Sequence, residues 1–150
     1  MPHSYTNLLY HFVFSTKGRR ALLTPNTRAE LCPYLAGAVR GEGGDAVSVQ
    51  GTADHVHILA RLRQDKALAD VLRNIKANSS KWLHQRFADQ QSFAWQQGYG
   101  AFTVSESQSG KVRRYIEGQE DHHRKTTFQD EFTALLKAHG IAFDPRFIWE

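Results

Sequence analysis

The stretch from Asp45 to Leu62 (DAVSVQGTADHVHILARL) constrains this chain more than any other. Val47 and Val49 alternate with Ser48 and Gln50 over Asp45 to Thr52, and a short turn around Ala53-Asp54 leads into a second run, His55 to Leu62. Side chains on a strand change face at every residue. Two such runs joined by a short turn predict an antiparallel hairpin. The second run carries His55 and His57, which share a face with Arg61, while Val56 and Ile58 point the other way. Two neighbouring imidazoles are two ready metal ligands. The plainer alternative is a pair of histidines on a solvated sheet face, and a His-x-His spacing alone leaves both open.

The flanking segments extend the pattern. Leu8 to Thr16 is rich in aromatic and β-branched residues and predicts a strand. Lys17-Gly18-Arg19-Arg20 closes it with a basic turn, either a phosphate-gripping loop or a solvated one. A first helix is expected from Thr24-Pro25-Asn26 to about Arg40, with Leu31, Leu35 and Ala38 facing inward. Pro33 is expected to kink that helix or mark its true first turn. Leu68 to Phe87 predicts the longest helix, with Leu68, Leu72, Ile75, Ser79 and Leu83 on one face and Arg73, Lys76, Lys81 and Arg86 elsewhere. Trp95, in the aromatic link over residues 92–99, is expected to pack. Residues 100–105 predict a fourth strand, and Glu106 to Gly110 a polar, mobile-looking linker. A helix from Lys111 to about His123 follows, then another from Thr127 to a glycine cap at Gly140, then an apolar tail, Phe143 to Trp149, expected to pack back on the body.

The resulting order, β-α-β-β-α-β with added C-terminal helices, is that of the ferredoxin-like α+β fold: an antiparallel sheet with two helices on one face and its other face open. A chain of 150 residues, 41% apolar and 23% charged, suits one globular domain over residues 1–150. The single cysteine, Cys32, excludes an internal disulfide and a cysteine-based metal site. No apolar run approaches the roughly 18 residues of a membrane span, and no leader-like start is evident, so a cytoplasmic location is expected. A formal charge of +4 mildly favours a polyanionic partner.

Tyr115-Ile116-Glu117-Gly118-Gln119 holds a second constellation. Positions four apart on a helix share a face, so Tyr115 and Gln119 are neighbours. A tyrosine on an amphipathic helix is ordinarily a packing residue. Taken together, however, DHVH (54–57), KANSSKW (76–82), WQQGYGAFTVS (95–105), VRRYIEGQEDHH (112–123) and FQDEF (128–132) resemble the single-tyrosine HUH transposases. These are the small transposases of insertion sequences that move as single-stranded DNA, together with relatives linked to repeated palindromic elements. The resemblance runs in order from about Tyr10 to Phe147, and the family's fold is ferredoxin-like.

The resemblance implies that His55 and His57 are metal ligands, that Tyr115 is the nucleophile, and that Gln119 is a third ligand through its side-chain oxygen. It implies a divalent cofactor, Mg2+ or Mn2+. The activity implied is cutting and rejoining of single-stranded DNA through a 5′-phosphotyrosine, with hairpins at element ends as the recognised feature. It further implies a homodimer in which the tyrosine helix can cross between subunits, the 106–110 linker permitting the crossing. Lys17, Arg19, Arg20, Arg73, Lys76 and Lys81 are candidate DNA-backbone contacts. No general base is evident beside Tyr115 in the sequence, and His122 and His123 either extend the metal site or, on the plainer reading that is preferred, form a polar helix end. Two rival readings share the fold: a non-catalytic single-stranded nucleic-acid-binding module, and a metal-dependent phosphodiesterase in which Tyr115 only packs.

Overall fold

The computed structural model describes residues 3–123 and 125–149. Four strands, β1 (Leu8–Ser15), β2 (Asp45–Gly51), β3 (His55–Leu62) and β4 (Gly100–Thr103), form one sheet in the order β2-β3-β1-β4. All three pairings are antiparallel, which is the ferredoxin-like arrangement the element order predicts. Register sets Ser15 opposite His55, Val13 opposite His57 and His11 opposite Leu59. Paired residues share a face, so β1 and β3 build two different surfaces.

One surface is apolar. Phe12 and Phe14 of β1 with Val56, Ile58 and Ala60 of β3 meet Leu31, Leu35 and Val39 of α1 (Pro25–Gly41) and Val71, Leu72, Ile75 and Leu83 of α2 (Leu68–Arg86). Thr24 caps α1 by accepting a hydrogen bond from the Thr27 amide. The helix runs on through Pro33, and Val39, rather than Ala38, is the fully buried residue of its last turns. Trp95 belongs to this core, stacked edge-on against Phe14 and Phe93 and donating to Ser79 Oγ at 2.9 Å.

The other surface is not open. It is covered by α3 (Ser109–Glu117), α4 (Gln119–His122) and α5 (Phe128–Ala138). Ile116 of α3 packs on Leu9 and Leu59; Phe128, Phe132 and Leu136 of α5 pack on Val13 and Phe102, with Phe143, Ile148 and Trp149 of the tail against them. Gly100 permits this closure: a Cβ there would come within 2.7 Å of the Phe132 ring.

Two local expectations are corrected. The segment 106–110 is not an extended linker; Glu106–Gln108 forms a 3-10 turn that runs directly into α3, and Glu106 is tied to Arg61 at 2.6 Å and to Asn7. The helix expected from Lys111 to His123 is two segments, because Gly118 leaves helical geometry (ψ 14°) between α3 and α4. Glycine is the weakest ordinary helix former, and a change of direction localises there.

Candidate metal centre and nucleophile

His55 and His57 lie side by side on the covered face, both with no solvent exposure. Solvated histidines, the plainer reading of the HVH segment, are thereby ruled out. A buried imidazole needs partners for both nitrogens. His55 Nδ1 lies 2.7 Å from Asp54 Oδ1 and 2.8 Å from Thr52 Oγ1. His57 Nδ1 lies 2.7 Å from Nε2 of His11, a third buried imidazole contributed by β1. Each Nδ1 is thus engaged on the strand side, and each Nε2 faces α4 and α5. A metal-ligating histidine characteristically has its second nitrogen held in this way.

Glu131 is what the inward nitrogens meet. Its Oε1 lies 3.2 Å from His55 Nε2, 3.1 Å from His57 Nε2 and 3.0 Å from His123 Nε2. The His123 Nδ1 is occupied by the Thr126 carbonyl at 2.7 Å. The other carboxylate oxygen, Oε2, accepts the hydroxyl hydrogen of Tyr115, with His122 Nε2 3.5 Å away. Gln119, also buried, holds its Oε1 3.5 Å from His55 Nε2, while its amide donates to the Tyr115 carbonyl at 3.3 Å. The Tyr115 and Gln119 side chains therefore still converge across the Gly118 break.

The electrostatics follow from burial and these contacts. Burial, reinforced by the neighbouring His57, pushes His11 down to about 3, so it stays neutral. His55 and His57 shift in opposite directions. Burial lowers both, but His55 has two carboxylates against it, Asp54 and Glu131, and is raised overall; His57 has only Glu131 to raise it, with His55 and His123 lowering it further, and is lowered. Burial alone would raise Glu131, but hydrogen bonds from His123, His55 and His57 hold it far below the usual carboxylate range. Tyr115 is raised, by burial first and then by the anionic Glu131. These last two shifts oppose proton transfer from phenol to carboxylate, so in this arrangement Glu131 holds Tyr115 as a phenol.

His55, His57, His123 and Glu131 offer ligand atoms all within 4.8 Å of one another, a group that could hold a metal ion. Three imidazoles and one carboxylate are chemically suited to a divalent cation. His11 and Glu131 carry no site reading from the sequence, and His123 only the less favoured one of extending the metal site. Glu131 carried a usable signal: in FQDEFTALL it occupies an inward slot of the stripe formed by Phe128, Phe132, Leu135 and Leu136, where a carboxylate is out of place without partners.

The six candidate DNA contacts are scattered. Lys17 and Arg20 are exposed in the turn after β1, and Lys81 and Arg73 are exposed on α2, with Arg73 paired to Asp70 at 2.8 Å. Arg19 has φ 56° and lies over the Trp149 ring at 5.0 Å. Lys76 is engaged internally: its ammonium donates to the carbonyls of Gln96, Gln97 and Gly98 at 2.6, 3.1 and 2.7 Å, and burial lowers it to about 8.

Known proteins share both this fold and this sequence pattern. The structure of a protein from Deinococcus radiodurans described as a transposase superposes with a TM-score of 0.64 at 24% identity, covering 78% of this chain and 94% of that one. A REP-associated tyrosine transposase, solved bound to a REP hairpin, superposes with a TM-score of 0.61 at 15% identity, covering 81% and 72%. In sequence, the ISDra2 transposase TnpA of Deinococcus radiodurans is 24% identical over 119 residues, 76% of this chain and 85% of that protein. The transposase for insertion sequence element IS200 of Salmonella typhimurium is 25% identical over 124 residues, 79% and 81% of the two chains. The family model described as "Transposase IS200 like" matches residues 4–119, and the chain belongs to that family. The match includes His11, His55, His57, Tyr115 and Gln119, and ends before His123 and Glu131. Among the described residues, no helix is long and apolar enough to cross a membrane.

Proposed function

We propose that this chain cuts and rejoins single-stranded DNA by transesterification through Tyr115. The observation that carries the reading is the meeting, on one buried carboxylate, of the Tyr115 hydroxyl and the inward nitrogens of His55 and His57. A packing tyrosine has no need of that neighbourhood. His55, His57 and Gln119 are the proposed ligands of a Mg2+ or Mn2+ ion. Such an ion, when bound, supplies Lewis-acid charge at the scissile phosphate.

The chain's own residues do the rest. Asp54 and His11 fix the two ligand imidazoles, and α3 brings the phenol to their edge. The Tyr115 oxygen attacks phosphorus; a phosphorus–tyrosine oxygen bond forms, the bond to the 3′ oxygen breaks, and a 3′-hydroxyl leaves carrying a proton. A second 3′-hydroxyl then attacks the 5′-phosphotyrosine, and Tyr115 recovers its proton as the strands are joined. The ester stores the energy of the broken linkage, so rejoining requires no nucleotide cofactor.

The substrate in this reading is single-stranded DNA with a hairpin, a feature the REP-associated relative was solved with. Exposed Lys17, Arg20, Arg73 and Lys81, with Arg19 beside them in the first turn, are the proposed phosphate contacts. A homodimer is the proposed assembly, and the cytoplasm the proposed location. Within one chain the Tyr115 ring lies 5.9 Å from that of His57, and in the proposed dimer the tyrosine helix can serve either its own subunit or its partner.

The test is incubation of the protein with end-labelled hairpin DNA and Mn2+ or Mg2+, resolved on a denaturing gel. A covalent protein–DNA adduct is expected, and it should vanish in Tyr115→Phe. Cleavage without adduct, surviving Tyr115→Phe, would establish the phosphodiesterase instead; a native-gel shift with no cleavage would leave a binding module.

A further inference from the structure

The ligand set His55, His57 and Gln119 is chemically incomplete as the protein folds. All three side chains are buried and all three are neutral ligands. A dication held in a buried site by neutral groups alone lacks compensating charge, and burying uncompensated charge is costly. The protein places one carboxylate against the inward nitrogens, that of Glu131, itself 3% exposed. It also places there a third imidazole, His123, prepared in the same way as the first two: Nδ1 bound on its outer side, Nε2 facing the same oxygen at 3.0 Å. Both residues come from the segment after residue 119, where the family match ends.

We infer that Glu131 and His123 complete the ion's coordination, making a centre of three imidazoles, a carboxylate and the Gln119 side-chain oxygen that prefers a transition-metal dication such as Mn2+ over Mg2+. The inference rests on the metal-centre reading above and deepens it. Magnesium is held through oxygen ligands and water; imidazole nitrogens suit softer first-row ions. Glu131 has a second task. With Oε1 among the imidazole nitrogens and Oε2 on the Tyr115 hydroxyl, one carboxylate links the ion's place to the nucleophile's place. Glu131 is in this sense a ligand and a positioning residue for Tyr115. The link runs through α5, a helix seated on the sheet by Phe128 and Phe132.

Binding of Mn2+ to the full chain without DNA, read by electron paramagnetic resonance of the free ion, tests this apart from activity. Glu131→Gln keeps the side-chain shape and removes the charge; its affinity should fall at least about tenfold, and that of His123→Ala by a smaller factor of about three to ten. Mn2+ should bind the wild-type chain at least about tenfold more tightly than Mg2+, by competition. Tyr115→Phe should bind Mn2+ as the wild type does. Unchanged or raised affinity in Glu131→Gln would overturn the inference, since the carboxylate would then be a competitor for the ion's place. Equal affinity for Mg2+ and Mn2+ would overturn it too. His57→Ala separates the two readings: if it alone abolishes binding, the metal centre stands without Glu131; if it changes nothing, the centre itself falls. Should Glu131→Gln fail to fold, His123→Ala carries the test, and unchanged affinity there refutes the coordination set.

Discussion

Asp54 decides which nitrogen of His55 faces inward. Its Oδ1 lies 2.7 Å from Nδ1, leaving Nε2 for the centre. Asp54→Asn should therefore lower Mn2+ affinity by about 10- to 100-fold with little loss of fold, the usual cost of removing a carboxylate behind a ligating imidazole; competition against a chromogenic chelator measures it. His11 engages the Nδ1 of His57 in the same way at 2.7 Å, and its suppressed basicity keeps it neutral. Cys32 is a contrasting case. Burial pushes its thiol up to about 11, which favours the protonated form at neutral pH. Labelling by a thiol reagent at pH 8 should be slow in the folded protein and rapid in urea; equal rates would mean the α1 environment is not as described. Parity alone put His55 and His57 on one face, and residue-scale reading was right there because strand geometry leaves two choices. His123 was less legible, because its approach to Glu131 depends on a turn at Thr126 that no period encodes.

Two elements hold the Tyr115 side of the proposed centre. Ile116, fully buried against Leu9 and Leu59, anchors α3 one residue from Tyr115. Ile116→Ala should destabilise by about 2–5 kcal/mol, transfer and cavity terms together, and urea unfolding reads it. On the other side, Gly100→Ala would press a methyl into the Phe132 ring and push α5 outward. A cost of about 1–3 kcal/mol is expected, with a lower melting temperature and weaker Mn2+ binding in the same variant; a loss of stability without a loss of affinity would separate α5 from the centre. The sheet and α1, α2 and α5 were legible from periodicity and caps, Thr24 and Thr127 among them. What was not legible was which face α3–α5 would cover, because helices appended to a ferredoxin-like order carry no register with the sheet. The sequence-level expectation of an open face, and of a loose segment at 106–110, failed for that reason: Glu106 closes on Arg61, a partner 45 residues away.

At the scale of the whole molecule, the apolar face of the sheet stores the stability and the polar face, roofed by α3–α5, holds the proposed centre. The proposed phosphate contacts lie in the turn after β1 and on α2. Arg20→Ala should weaken hairpin DNA binding and reduce the salt slope by about one, measured by fluorescence anisotropy across a salt series. Lys76→Ala should instead lower the melting temperature, because its ammonium ties three carbonyls of the 96–98 link. The most direct measurement is a mass-spectrometric map of the protein after reaction with hairpin DNA and Mn2+. A phosphonucleotide on the peptide containing Tyr115, and absent when His57 is replaced by alanine, is the expected result. An adduct on any other residue, or cleaved DNA with every tyrosine unmodified, would contradict the account.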